Sequence, residues 1–117
     1  MNVLIILNDP PYGTERSYNG LRLASALAKA SPDTEVTIFL MADAVLCAKK
    51  GQKTPDGYYN IERMLAVVLR SRGRVLLCGT CLSARGITDS ELIEGAQRST
   101  MDELATVTLA SERVLVF

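Results

Sequence analysis

Two cysteines three residues apart are the side chains of this sequence best suited to chemistry. They stand in the run Cys78-Gly79-Thr80-Cys81-Leu82-Ser83-Ala84-Arg85-Gly86-Ile87, where Cys78 ends a β-prone stretch and an arginine and a glycine close the segment. The thiolate is the reactive form of cysteine, and its pKa falls when backbone N–H groups or a cation face the sulfur. Gly79 lets the backbone turn sharply, so that N–H groups of residues 79 to 82 can aim at the Cys78 sulfur. Arg85 brings a positive charge that does not titrate. The chain has no histidine, which removes Ser-His-Asp and Cys-His catalysis and leaves backbone dipoles and Arg85 as the activation routes. Reactivity at Cys78 is therefore expected to follow one thiol titration. The C-x-x-C spacing equally suits a dithiol that cycles with its disulfide. The plainer alternative makes Cys78 a small buried residue at a strand end and Cys81 a loop thiol that packs inward.

The third cysteine, Cys47, stands on a different segment beside Ala44 and Ala48, where packing is its expected role. Three cysteines without histidine fall short of the ligand sets of structural zinc, so no metal or cofactor is expected. The strands and helices that would position the cysteine pair can be read from the pattern of residues. Val3-Leu4-Ile5-Ile6-Leu7 and Val75-Leu76-Leu77-Cys78 are apolar on both faces, as strands covered on both sides must be. Glu35 to Leu40 alternates, with Val36, Ile38 and Leu40 on one face. Arg113 to Phe117 reads as a last short strand.

Helical stretches separate these strands. Thr14 is expected to cap a helix reaching about Ala30, with Leu21, Ala24, Leu27 and Ala28 on its apolar arc. A short helix is expected from Asp43 to Lys50, stopped by Gly51. Asn60 caps a third, lined by Ile61, Leu65 and Val68 and closed by Gly73. Thr88-Asp89-Ser90-Glu91 has capping-box spacing for a short helix, and Ser99 to Asp102 repeats it before a longer one ending near Ser111. Alternating strands and helices imply parallel crossovers: an α/β, Rossmann-like three-layer sandwich with a parallel sheet of four to five strands. One domain, residues 1–117, is expected at this length.

In such sheets the functional crevice lies at the carboxyl ends of the strands. Besides the cysteine segment, two regions qualify there: Asn8 to Thr14, and Met41 to Asp43 with the following loop. Asn8 to Thr14 lacks a phosphate-binding glycine pattern, and its paired prolines remove N–H donors. It reads as a stiff turn, or as a rigid wall beside the cysteines with Asp9 and Tyr12 as polar contacts. Gly51 to Tyr59 is a loop that serves either as a solvated connector or as a flap presenting Lys53, Tyr58 and Tyr59. The final strand ends the chain, so no site is expected beyond it.

Composition narrows the partners. Thirteen basic and 13 acidic residues cancel, which argues against direct nucleic-acid binding or an acidic membrane surface. Apolar residues make up 48% and aromatics 5%; this aliphatic excess in a small chain suggests burial between subunits. The longest apolar runs are about five residues, against the roughly 20 that span a bilayer. Met1-Asn2 carries no basic leader segment, and an odd cysteine count suits a reducing compartment, so a cytoplasmic location is expected.

The strand ending in Cys78, with Arg85-Gly86 closing the segment, resembles the DsrE/DsrF family of small sulfur-relay proteins, which includes TusD-type subunits and YchN-like members. The opening, Val3 through Asn8-Asp9-Pro10-Pro11-Tyr12-Gly13 to Leu21-Arg22-Leu23-Ala24, is similar to the YchN-like branch, and the likeness covers essentially the whole chain. The resemblance implies a DsrE-like fold in which Cys78 is the sulfur-carrying cysteine, accepting a sulfane sulfur as a persulfide and passing it on. Arg85 and Gly86 match the residues that close the family's active loop. It further implies a homo-oligomer, a trimer or paired trimer with active loops near subunit boundaries, and sulfur-donor and sulfur-acceptor proteins as partners. Cys81 departs from the TusD pattern, leaving open a persulfide on one thiol or a Cys78–Cys81 disulfide cycle. The leading expectation is a sulfurtransferase-type persulfide carrier; a thiol–disulfide redox protein and a non-catalytic assembly or binding subunit are the alternatives.

Overall fold

Strand Val3–Leu7 is apolar at every position because it lies at the interior of a sheet that is covered on both sides. In a computed structural model of the chain, which describes residues 1–55 and 59–117, five strands pair in parallel: β1 (Asn2–Leu7), β2 (Glu35–Leu40), β3 (Arg74–Cys78), β4 (Gln97–Ser99) and β5 (Arg113–Val116). Their order across the sheet is β4-β3-β2-β1-β5. The register sets Ile5 beside Ile38 and Leu115, and Phe39 beside Leu76. Ile5, Ile38, Phe39 and Leu76 form the centre of the core with Leu4, Leu7, Leu40 and Leu77, and Leu115 packs partly buried against it.

Helices α1 (Arg16–Ala30) and α2 (Ile61–Arg70) follow β1 and β2, pack on each other and cover the sheet with Leu21, Ala24, Ile61, Leu65 and Val68. The chain steps outward from β1 to β4 and then returns through α4 (Met101–Ala110) to β5 beside β1. Right-handed crossovers in opposite directions place α1 and α2 on one face and α4 on the other. The three-layer α/β sandwich is thus the observed architecture, with the five-stranded end of the expected range. No helix of the described residues is long and apolar enough to cross a membrane.

Several elements differ from their expected form for physical reasons. β2 buries not one face but every residue from Val36 to Leu40, because it pairs with β1 and β3 and is covered from both sides. β4 has no counterpart in the hydrophobic pattern: it is a three-residue edge strand of polar side chains, paired to β3 through Leu76–Cys78. Helix α1 starts at Arg16 rather than being capped by Thr14 alone, since the Thr14 hydroxyl donates to the Asp9 carboxylate at 3.2 Å and ties the proline turn closed. Residues Ala42–Ala48 form a 3-10 segment instead of an α-helix from Asp43 to Lys50, closed by an i to i+3 bond from Ala44 N–H to the Met41 carbonyl. α4 is capped by Thr100, one residue past Ser99, with Glu103 N–H donating to its hydroxyl at 3.1 Å. Asn60 caps α2 through Arg63 N–H, and the Thr88–Glu91 capping box is formed around a 3-10 turn.

Candidate functional site

The segment after β3 is not a loop. Residues Gly79–Ala84 coil into a short helix, α3, with Cys78 in the N-cap position. Its sulfur does what a serine or aspartate oxygen does at other caps: Cys78 Sγ accepts the N–H of Cys81 at 3.2 Å. The far end is a Schellman closure. Gly86 takes φ +65°, its N–H donates to the Ser83 carbonyl, and Ile87 N–H donates to the Leu82 carbonyl at 3.0 Å. The glycine is there because that dihedral is costly for any residue with a Cβ. At the start of α3, Gly79 is there for space: a Cβ on it would lie 2.9 Å from the Ser99 carbonyl oxygen of β4. One helix therefore sets Cys78 and Cys81 a turn apart and lays them against the neighbouring edge strand.

Cys78 and Cys81 are joined as a disulfide, their Cα atoms 5.2 Å apart, within the separation that a disulfide spans. The Thr80 hydroxyl lies 3.2 Å from Cys78 Sγ. Cys81 Sγ accepts the N–H of Ala42 at 3.3 Å, across the gap between α3 and the 3-10 segment. Ala42 has φ +50°, an uncommon dihedral for a residue with a side chain, and it aims this N–H at the sulfur. Arg85 reaches the same segment. Its Nε and Nη2 donate to Asp43 at 2.9 and 2.8 Å, and its Nη1 donates to the Cys81 carbonyl at 3.1 Å. Among the described residues, the polar groups on Cys78 Sγ are the Cys81 N–H and the Thr80 hydroxyl, while the Arg85 charge rests on Asp43.

A cavity of about 620 Å³ opens in front of Cys78. Its walls come from the carboxyl ends of three strands and their continuations: Phe39 and Met41 at the end of β2, Cys78, Gly79, Thr80 and Ser83 at the end of β3 and in α3, and Ser99, Thr100 and Met101 around the start of α4. The connections after β3 and β4 leave toward opposite faces of the sheet, which is the crossing point where open α/β sheets hold their ligands. Arg98 forms the remaining wall. Its Nε donates to Asp89 at 2.9 Å and its Nη1 to the Gly79 carbonyl at 2.8 Å, so it ties β4 to the N-terminus of α3. Residues 97 to 99 carry no β periodicity, and residues 100 and 101 begin a helix. Their one usable signal is the Thr100-x-x-Glu103 capping spacing, which places a helix start beside the cysteine segment.

The remaining candidates lie elsewhere. Asp9 accepts from Thr14 and pairs with Arg16 at 3.8 Å, while its carbonyl accepts from Ser17. The Tyr12 hydroxyl donates to Gln52 at 2.6 Å and accepts from Ile61 N–H, so it joins the proline turn to the start of α2 rather than facing the cysteines. Tyr59 packs its ring on Tyr18, centroids 4.2 Å apart, and Lys53 is exposed; Tyr58 lies outside the described residues. Cys47 is buried, donates to the Asp9 carbonyl at 3.9 Å, and has its thiol pushed by burial up to about 12. It does not ionise near neutral pH. Among the described residues no group of three or more His, Cys, Asp or Glu side chains is placed to hold a metal ion.

Comparison with known proteins places this arrangement among relatives. The profile of the DsrE/DsrF-like family matches residues 1–117. Protein YchN of Escherichia coli is 42% identical over 115 residues, covering 98% of this chain and 97% of its own. An uncharacterised protein of Methanocaldococcus jannaschii is 37% identical over 117 residues, with both chains covered in full. The crystal structure of the Escherichia coli YchN protein superposes with a TM-score of 0.94 at 41% identity, over 100% of this chain and 99% of that one. A protein of unknown function from Methanobacterium thermoautotrophicum shares the fold alone, with a TM-score of 0.73 at 15% identity over 96% of this chain and 95% of that one.

Proposed function

Because this chain belongs to the DsrE/DsrF-like family, a family of sulfur-relay type, we propose that it carries sulfur as a persulfide on Cys78 and hands it to a partner. The observation that supports this reading most directly is the setting of the Cys78 sulfur. It sits at the carboxyl end of β3, takes the Cys81 N–H and the Thr80 hydroxyl, and borders a cavity of about 620 Å³. Hydrogen bonds to a thiolate favour its charged form and lower its pKa. The reduced Cys78 thiolate attacks the outer sulfur of a donor persulfide; the donor's S–S bond breaks and its thiolate leaves. Arg85 acts as a positioning residue, holding the Cys81 carbonyl and Asp43 together and so fixing α3 on the 3-10 segment. Gly79 and Gly86 shape that helix, and Asp9 and Tyr12 hold the turn after β1 and the start of α2.

The partners in this reading are sulfur-donor and sulfur-acceptor proteins and further copies of the chain itself, acting as one domain in a reducing compartment. The test is to reduce the protein, expose it to a small organic persulfide and map the added sulfur by mass spectrometry. At short times after exposure wild type is expected to carry one added sulfur on Cys78, as is Cys81→Ser, and the Cys78→Ser variant none. A Cys78→Ser variant that loads as fully as wild type sinks the proposal. The disulfide with Cys81 favours a second reading, thiol–disulfide exchange. Under that reading the same experiment returns only dithiol and disulfide forms, with no added sulfur on Cys78 at any time, in wild type or in Cys81→Ser.

A further inference from the structure

The disulfide has a second meaning if Cys78 carries sulfur. We infer that Cys81 discharges the loaded persulfide, releasing its outer sulfur as hydrosulfide and leaving the Cys78–Cys81 disulfide behind. This inference rests on the persulfide reading of Cys78 and adds a reaction to it. A cysteine persulfide has two sulfurs that a thiolate can attack. Attack on the outer one passes sulfur to the attacker, whereas attack on the inner one expels the outer sulfur. Geometry decides which of these Cys81 performs.

Cys81 reaches the inner sulfur, Cys78 Sγ, with its backbone already placed: the Cα atoms are 5.2 Å apart and the Cys81 N–H rests on Cys78 Sγ at 3.2 Å. Displacement at sulfur needs the entering and departing sulfurs on opposite sides. Cys78 borders the cavity, as do Gly79, Thr80 and Ser83, while Cys81 stands behind it with its sulfur on the Ala42 N–H at 3.3 Å. An outer sulfur on Cys78 therefore has room in the cavity, away from Cys81. The Ala42 N–H stabilises the Cys81 thiolate before attack.

The step balances without a co-reactant. The bond from Cys78 Sγ to the outer sulfur breaks, and its electron pair departs with hydrosulfide. A bond from Cys78 Sγ to Cys81 Sγ forms. The sulfane sulfur is reduced and the two cysteines are oxidised. Resetting the site requires an external dithiol reductant, so a dithiol-oxidising reaction must follow each discharge.

The experiment uses the reduced full chain and the persulfide of glutathione, with excess donor removed after a short loading. Hydrosulfide is followed at a sulfide electrode, the chain by intact mass, and Cys78→Ser supplies the background. Wild type is expected to release about one hydrosulfide per chain and to end as the disulfide without added sulfur. Cys81→Ser, and independently Cys81→Ala, should keep the sulfur on Cys78 and release hydrosulfide only at background. Equal release from the Cys81 variants, or a wild type that retains its sulfur as long as they do, overturns the discharge and leaves persulfide carriage standing. Failure of wild type and both Cys81 variants to load overturns both.

Discussion

Among the described residues, Thr80 is the one side chain whose hydroxyl lies against the candidate nucleophile, 3.2 Å from Cys78 Sγ. Facing a thiolate, it can only donate. A hydrogen bond to a charged group is worth about 1.5–3 kcal/mol, and part of that survives as a pKa difference because water replaces the lost donor. Thr80→Val is therefore expected to raise the Cys78 thiol pKa, and Thr80→Ser to restore it. The measurement is the pH dependence of Cys78 alkylation in a reduced Cys81→Ser background, which should show one titration step, since the chain has no histidine and burial pushes the Cys47 thiol up to about 12. An unchanged midpoint in Thr80→Val removes the residue from the site. The spacing of Cys78, Gly79, Cys81 and Gly86 made this region legible in the sequence, because local spacing fixes what one turn of helix brings together. The partner of Arg85 was not legible. Its guanidinium was expected near the Cys78 sulfur, but it pairs with Asp43, 42 positions away, and a pairing of that range depends on strand order that no local pattern contains.

At the level of elements, the site depends on how closely α3 can approach β4. Gly79 is the first residue of α3, where alanine would ordinarily stabilise a helix by up to about 1 kcal/mol. Here its methyl would sit 2.9 Å from the Ser99 carbonyl and 3.3 Å from the Arg98 side chain. A backbone oxygen cannot rotate away, and overpacking of this kind costs about 1–3 kcal/mol. The clash outweighs the propensity gain, so Gly79→Ala is expected to lose roughly 1 kcal/mol, seen as a lower midpoint in urea at unchanged slope. A midpoint at or above wild type would show that β4 yields. The same elements mark the limit of pattern reading. β1 and β3 declared themselves as continuous apolar runs, and Asn60 and Thr88 as caps, because burial on two faces and capping each leave a local mark. β4 left none: at the sheet edge its polar residues present no apolar face, the buried Ser99 hydroxyl donating to Glu103, and pairing with β3 alone makes it a strand.

Across the whole molecule, the sheet order separates two kinds of surface. The cavity lies at the β3–β4 end, and β5 closes the opposite edge with unpaired backbone on its outer side. α4 connects them, running from Met101 at the cavity wall toward β5. Large apolar side chains remain exposed along this path, Met101 at 62%, Leu109 at 88% and Val116 at 65%. An edge strand with free N–H and C=O groups and aliphatic side chains is a surface that proteins normally cover. The aliphatic excess of the composition thus has a location, and the proposed self-association has a face to use. Light scattering of the wild-type protein should therefore give a mass that is a multiple of 12.7 kDa. Burying a leucine or valine contributes roughly 1.5–3 kcal/mol, and lysine at two such positions forfeits both contributions. The double variant Leu109→Lys, Val116→Lys should then weaken association by at least about a hundredfold and run as the single chain at micromolar concentration. Neither side chain lies in the core, so its far-UV spectrum should match wild type. A monomeric wild type, or a double variant of unchanged mass, would place the self-association surface elsewhere or remove it.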